Sequence, residues 1–430
     1  DFSLRVGDLS DQLIGNGNER IPQPASARPL SRLRGCPVNY LCLPWLVMAA
    51  TLSLLPTGAS ALPYLPKSDD QILERLPLAP SDPVAREVRI LRQELASQPG
   101  RLDLAVQLAR RYTELGRVRG DPRFTGYAQA ALANWWEQPE PPSEVLLVRA
   151  TLRQRSHDFA AALADLDELI RRNPRDGQAR LSRATILQVQ GDYTAAASEC
   201  AVLRRLASEV VWAACAYGLA GSNGQLRESY AALAALLARQ PDARPEVKAW
   251  VLSMLAEMAA RAGMNDAAEA HFRAALAIDR EDHYLLTAYA DWLLDQQRPA
   301  EVVRLLEAQQ RTDALLLRHA LALRALDSPL AGGEIEQLRA RFAASRLRGD
   351  RAHLREEARF TLDLLGDHPQ ALALARENWS VQKEVPDLRL LLQASLAAGD
   401  AASLADVRRW LSRSRSEDVV IGRLLPKELP

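Results

Sequence analysis

Residues 149–159 read RATLRQRSHDF, and thirty-four residues later residues 183–193 read RATILQVQGDY, with Arg, Ala, Thr, Gln and Asp in register. A unit of that length holds two short helices and their turns, and one such pair cannot bury its own apolar face. Stacking each pair on the next removes that surface from water, so the interval points to an elongated helical array. The length agrees, because 430 residues exceed what one hydrophobic core usually serves. Aromatic residues are sparse at 5%, and the abundance of alanine and leucine favours helix over strand.

The interval carries a position-specific pattern. In the block 143–176 small residues fall at Ala150 and Ala162, Phe159 follows His157 and Asp158 at the turn, and Pro174 lies near the end. The block 177–210 has Ala184, Gly191, Tyr193 and Ala196; the next has Gly224, Ser229 and Pro241. Ala256, Gly263, Ala268, Phe272 and Ala275 follow, and block 283–316 keeps Ala290 and Pro299 without a turn glycine. Gly366, Ala371 and Gly399 continue the pattern more loosely. It resembles the tetratricopeptide repeat closely over 143–282 and more loosely to residue 412. The stretches GDPRF and GYAQAAL also look like exported bacterial proteins of that family, a likeness that brings no activity with it. The resemblance implies an all-α, right-handed superhelical solenoid of antiparallel helix pairs.

The chain divides by composition. Residues 1–31 show little periodicity and read as a disordered leader or a start-site artefact. Residues 32–61 read as a signal peptide: Arg32 and Arg34, a fifteen-residue apolar run broken by Pro44, then Ala59, Ser60 and Ala61 as a cleavage site. The run is short for a membrane span, so export with cleavage before Leu62, to the periplasm, is expected; an uncleaved inner-membrane anchor is the alternative. A Pro-rich lead-in covers 62–83, and helical hairpins cover 84–142, one helix ending at Gly116. The repeat array spans 143–316, divergent repeat-like helices 317–415, and a tail 416–430. Cys200 and Cys215 lie equidistant from the turn near residues 207–209, on neighbouring antiparallel helices. A disulfide is expected in an exported chain, and two buried thiols are the alternative.

The charge balance narrows the function. Lys and Arg total 54, as do Asp and Glu, so no broad basic field exists to hold nucleic acid. The chain carries no phosphate-binding glycine loop, HExxH, GxSxG or CxxC, and no catalytic residue, cofactor or metal ligand is assigned. His283, His319 and His353 fall near the start of helix A in three consecutive hairpins, the basis of an alternative reading as a metal-handling accessory protein. Packed helices lie about 8–10 Å apart, too far for three such imidazoles to share one zinc ion easily. An enzyme with an unfamiliar site is the other alternative.

The resemblance implies that helix A lines a concave, partner-binding face. Its inward positions are Thr151, Gln154 and Arg155, then Gln178, Thr185 and Gln188. Further along they are Trp250, Glu257 and Arg261, then Tyr284, Asp291 and Asp295. Trp250 and Tyr284 are expected to anchor a protein or peptide, and Asp291 with Asp295, one turn apart, to meet a basic side chain. Membrane contact is expected only through an uncleaved signal. Arg149 and Arg183, which repeat in register, are read as structural ion-pairing residues.

Overall fold

The computed structural model describes residues 82–425 apart from 122, 308, 310–311 and 350–352; the leader, the signal segment and nearly all of the Pro-rich lead-in lie outside the described residues. Among the described residues every regular element is helical. The N-terminal part holds α1 (Pro83–Ser97), α2 (Leu102–Arg119), α3 (Arg123–Ala131) and α4 (Ala133–Trp136). Antiparallel pairs follow: α5 (Ser143–Arg155) with α6 (Phe159–Arg172), α7 (Gly177–Val189) with α8 (Tyr193–Leu203), and α9 (Glu209–Gly221) with α10 (Leu226–Ala238). Next come α11 (Pro245–Arg261) with α12 (Asn265–Ile278), α13 (His283–Asp295) with α14 (Pro299–Leu306), and α15 (Asp313–Ala325) with α16 (Ala331–Leu347). The series ends with α17 (Leu354–Phe360), carried on by a π-helical turn Thr361–Leu365, paired with α18 (His368–Val381), then α19 (Val385–Ala398) with α20 (Ala401–Ser414), and the short α21 (Val419–Leu424).

A turn of two or three residues joins the helices of several pairs. One residue adopts left-handed backbone and the next, an Asp, caps helix B. Gly191, Gly366 and Gly399 take φ of 79°, 67° and 67°. Asp192, Asp367 and Asp400 accept the N–H groups of Ala195, Gln370 and Ser403. Glycine carries no Cβ penalty there, and the Asp satisfies an orphan helix donor. Block 283–316 has no turn glycine, yet the turn survives, because Gln297 adopts φ of 58°; His157 does the same in the first pair. The small residues sit where the helices approach: Ala162, Ala184, Ala196, Ala256, Ala268, Ala290 and Ala371 are all buried, as are Phe159 and Phe272.

Two boundaries differ from expectation. α2 runs past Gly116 to Arg119 and stops at Gly120, which has left-handed φ. Gly116 is instead a close-approach position, since a Cβ there would lie 3.3 Å from Phe124 Cβ. The expected tail contains α21, and Ile421 within it is buried.

The array turns back on itself. Gln382 Nε2 lies 2.9 Å from His157 Nδ1, and Lys383 N donates to Val189 O at 2.7 Å. Ser416 Oγ donates to Ser222 O at 2.9 Å, and Leu226 N donates to Glu417 Oε1 at 3.1 Å. Residues between the last helices thereby bond to the ends and turns of the early pairs. Cys200 and Cys215 are joined by a disulfide linking α8 to α9.

Candidate functional site

The inner helices converge on a cleft of about 260 Å³. α7 contributes Gln188; α11 contributes Met254, Glu257, Met258 and Arg261; α13 contributes Asp291 and Asp295. Opposite them stand Arg318 of α15, Arg355 and Arg359 of α17, Arg389 of α19, and Val419 and Arg423 of α21, with Lys383 from the loop before α19.

Most of these charges are matched within the chain. Asp291 accepts from Arg318 at 2.9 and 3.0 Å and also pairs with Arg359. Burial opposes ionisation of Asp291, but these two guanidiniums outweigh it and hold its carboxyl well below the usual carboxylate range. Asp295 pairs with Arg389. Arg355 spans Glu384 at 2.6 Å and the buried Asp387 at 2.5 Å, and Asn378 donates to Asp387 at 2.7 Å. Arg261 donates to Gly221 O at 3.3 Å, and burial pulls its guanidinium below the ordinary arginine value. Burial likewise lowers the Lys383 ammonium. The expected basic side chains for Asp291 and Asp295 are therefore the chain's own arginines, 27 to 94 residues away in sequence.

Five of the twelve expected inward residues line this cleft: Gln188, Glu257, Arg261, Asp291 and Asp295. Four lie in the packing between helices. Thr151 and Thr185 are buried and return their hydroxyls to Leu147 O and Leu181 O of their own helices, and Gln154 is buried. Trp250 is 1% exposed, inside the apolar cluster of Val210, Val247 and Met254, so it anchors the core rather than an outside partner. The reason is position along the helix: Trp250 shares a face of α11 with Glu257 but lies two turns nearer its start, where apolar residues of α9 and α10 cover that face. Arg155 and Gln178 are half-buried and outside the cleft lining; Tyr284 is half-buried with its hydroxyl donating to Glu257 Oε1 at 2.7 Å.

The other singled-out residues have local roles. Arg149 pairs with Asp165 of the adjoining helix at 2.7 Å, and Arg183 pairs with Glu199 at 2.9 Å and Asp167 at 2.6 Å. His319 is buried against Glu334, and His283 packs beside Gly120. Among the described residues no group of three or more His, Cys, Asp or Glu is arranged to hold a metal ion. The expectations missed Arg355, Arg359, Arg389 and residues 415–424. The one sequence signal for them was the i, i+4 spacing of Arg355 and Arg359 on a helix A whose repeat match had weakened.

Fold and cleft together define an all-α solenoid of antiparallel helix pairs whose C-terminal part bonds back to the turns of its early pairs. No protein-family model matches the chain, and no curated protein matches it. Among solved structures, the crystal structure of the yeast Tom70 is similar over 77% of this chain at 14% identity, with a TM-score of 0.29. This chain spans 61% of that one.

Proposed function

We propose that this protein is a non-enzymatic, exported interaction scaffold that binds a protein or peptide at the inner cleft. The observation that carries the reading is convergence: side chains from α7, α11, α13, α15, α17, α19 and α21 meet at one cleft. Its floor mixes unbranched Met254 and Met258, which repack around varied apolar groups, with hydrogen-bonding Gln188 and Tyr193. A peptide supplies both kinds of group along its length. Export is supported by the signal-like segment and by the disulfide, a bond that persists in oxidising compartments. Among the described residues no helix is long and apolar enough to cross a membrane.

The test is crosslinked affinity capture of the tagged full-length protein from envelope fractions, beside a Gln188→Ala, Lys383→Ala, Arg423→Ala variant. These three side chains reach the cleft without being fully buried. A partner held by the wild type and lost from the equally helical variant is the expected result. Equal capture by both moves binding away from the cleft, and no capture removes the scaffold reading. In the same preparation, a mature N-terminus at Leu62 is expected by mass spectrometry; an intact segment 32–61 would replace cleavage with anchoring.

A further inference from the structure

The C-terminal segment is seated on two A–B turns in a way that specifies what else could sit there. The turn between α9 and α10 leaves a carbonyl at Ser222 and an N–H at Leu226, and its N-cap residue Gln225 makes no side-chain cap. Both groups are satisfied from the far end of the chain: Ser416 Oγ donates to Ser222 O, and Glu417 Oε1 accepts from Leu226 N. Leu226 N thus receives the carboxylate that a local capping residue would ordinarily supply.

The glycines of two successive turns make room. A Cβ on Gly224 would lie 2.7 Å from Arg415 Cβ, and one on Gly263 would lie 3.2 Å from Val419 Cγ1. Arg415 itself holds left-handed φ of 54°, which ends α20 and turns the chain into the groove. Asp418 then caps α21 by accepting from Val420 N at 2.7 Å and Ile421 N at 2.9 Å, and Ile421 is buried. Val419, Val420 and Arg423 form one wall of the cleft.

A six-residue helix has almost no stability alone, so docking is what orders it. The docking rests on Ile421, buried in a cluster with Leu388, Leu391 and Trp410, on the partly buried Leu424 and Leu425 packed against that cluster, and on two hydrogen bonds to the rail of turns. A helix this short lies at the low-stability end of a fold and opens before the longer ones.

We propose that the groove over Gly224 and Gly263 is a docking site for a short peptide helix, filled here in cis by residues 415–424. Its outside partner is a segment of the same chemistry: a hydroxyl residue, two carboxylates that open a helix, then β-branched apolar side chains. This rests on the peptide-binding reading above and names the partner class. The partner's hydroxyl takes the Ser222 carbonyl, its first carboxylate caps α10, and its apolar face enters the cleft beside Val385 and Leu390. Because the cis segment competes, the apparent affinity of any such partner is reduced by the fraction of molecules in which the groove is closed.

The probe is a fluorescein-labelled peptide of residues 414–425, titrated into the full-length wild-type chain and the full-length Ser416→Ala, Glu417→Ala variant. The variant, whose own segment docks less well, should bind the peptide about tenfold more tightly than wild type. The same peptide carrying Val419→Asp should bind neither chain. Equal affinity for the two chains, or no binding to a variant of unchanged helical content, overturns the proposal. Should the variant fail to fold, hydrogen exchange on the wild type decides. With saturating peptide the Gly422 and Leu425 amides, which bond Asp418 O and Ile421 O, should lose protection. Unchanged protection there also overturns it. A dimer formed by the variant with no affinity for the peptide would assign the groove to exchange between copies and sink the proposal. None of these readouts needs a cellular partner, so their failure is distinguishable from a failed capture.

Discussion

Asp165 shows how a charge becomes part of this fold. Its carboxylate, 5% exposed, accepts two hydrogen bonds from Arg149 and one at 2.7 Å from Arg153, and Arg149 lies 5.9 Å from the Trp136 ring centroid. Two charges taken out of water recover their desolvation cost only when both partners are present. Asp165→Ala strands Arg149 beneath the Trp136 ring and should destabilise the chain by about 3–5 kcal/mol. Urea unfolding checks this; a loss below about 1 kcal/mol, the value of an exposed pair, would show that Arg149 escapes to water. The in-register recurrence of Arg149 and Arg183 made the structural role legible in the sequence, because both pair across sixteen residues to the next helix. Which acid each would meet was not legible: Asp165 and Glu199 occupy equivalent places but differ in length.

At the level of elements, the turn between helix A and helix B separates backbone need from residue identity. Gln297 sits in the left-handed region at φ of 58° between α13 and α14, and its side chain is exposed. A non-glycine residue there costs about 1–2 kcal/mol, of which glycine's greater freedom in the unfolded chain offsets about half. Gln297→Gly should therefore stabilise by about 0.5–1 kcal/mol, read as a rise in the thermal midpoint. A lowered midpoint would mean that the Gln297 side chain does more than tolerate its backbone. His157 has the same backbone but stacks on Phe159 and meets Gln382, so glycine there should bring no gain. Helix positions and the small-residue packing were legible because the pattern repeats every pair. The inward face was only partly so. A repeat formula places Thr151, Gln154, Thr185 and Trp250 by counting, whereas the radius to which the array closes decides whether those positions meet a hollow or a neighbour.

At the scale of the whole molecule the closure itself is the feature that no local pattern encodes, since its contacts join residues up to 225 apart. His157 lies on that seam. Gln382 accepts from Arg355 through Oε1 at 3.2 Å, so its amide nitrogen is the group turned to His157, and a donor there requires a neutral imidazole acceptor. Burial pushes the His157 imidazole down to about 4, and the positive charge of Arg355 acts in the same direction. In the unfolded chain the same imidazole protonates near its ordinary value of about 6.5. Between those two values the unfolded state holds more protons than the folded one, so stability is complete above about 6.5 and declines as pH falls toward 4. Asp291 adds nothing in that window, because Arg318 and Arg359 hold its protonation lower still. His157→Asn keeps a residue that tolerates left-handed backbone and removes the titrating ring. The wild type should therefore lose thermal midpoint more steeply than His157→Asn between pH 7 and pH 4.5, with the two curves running parallel above pH 7. Parallel curves throughout would mean that the imidazole takes up its proton without leaving the seam, and that Gln382 rotates to accept it.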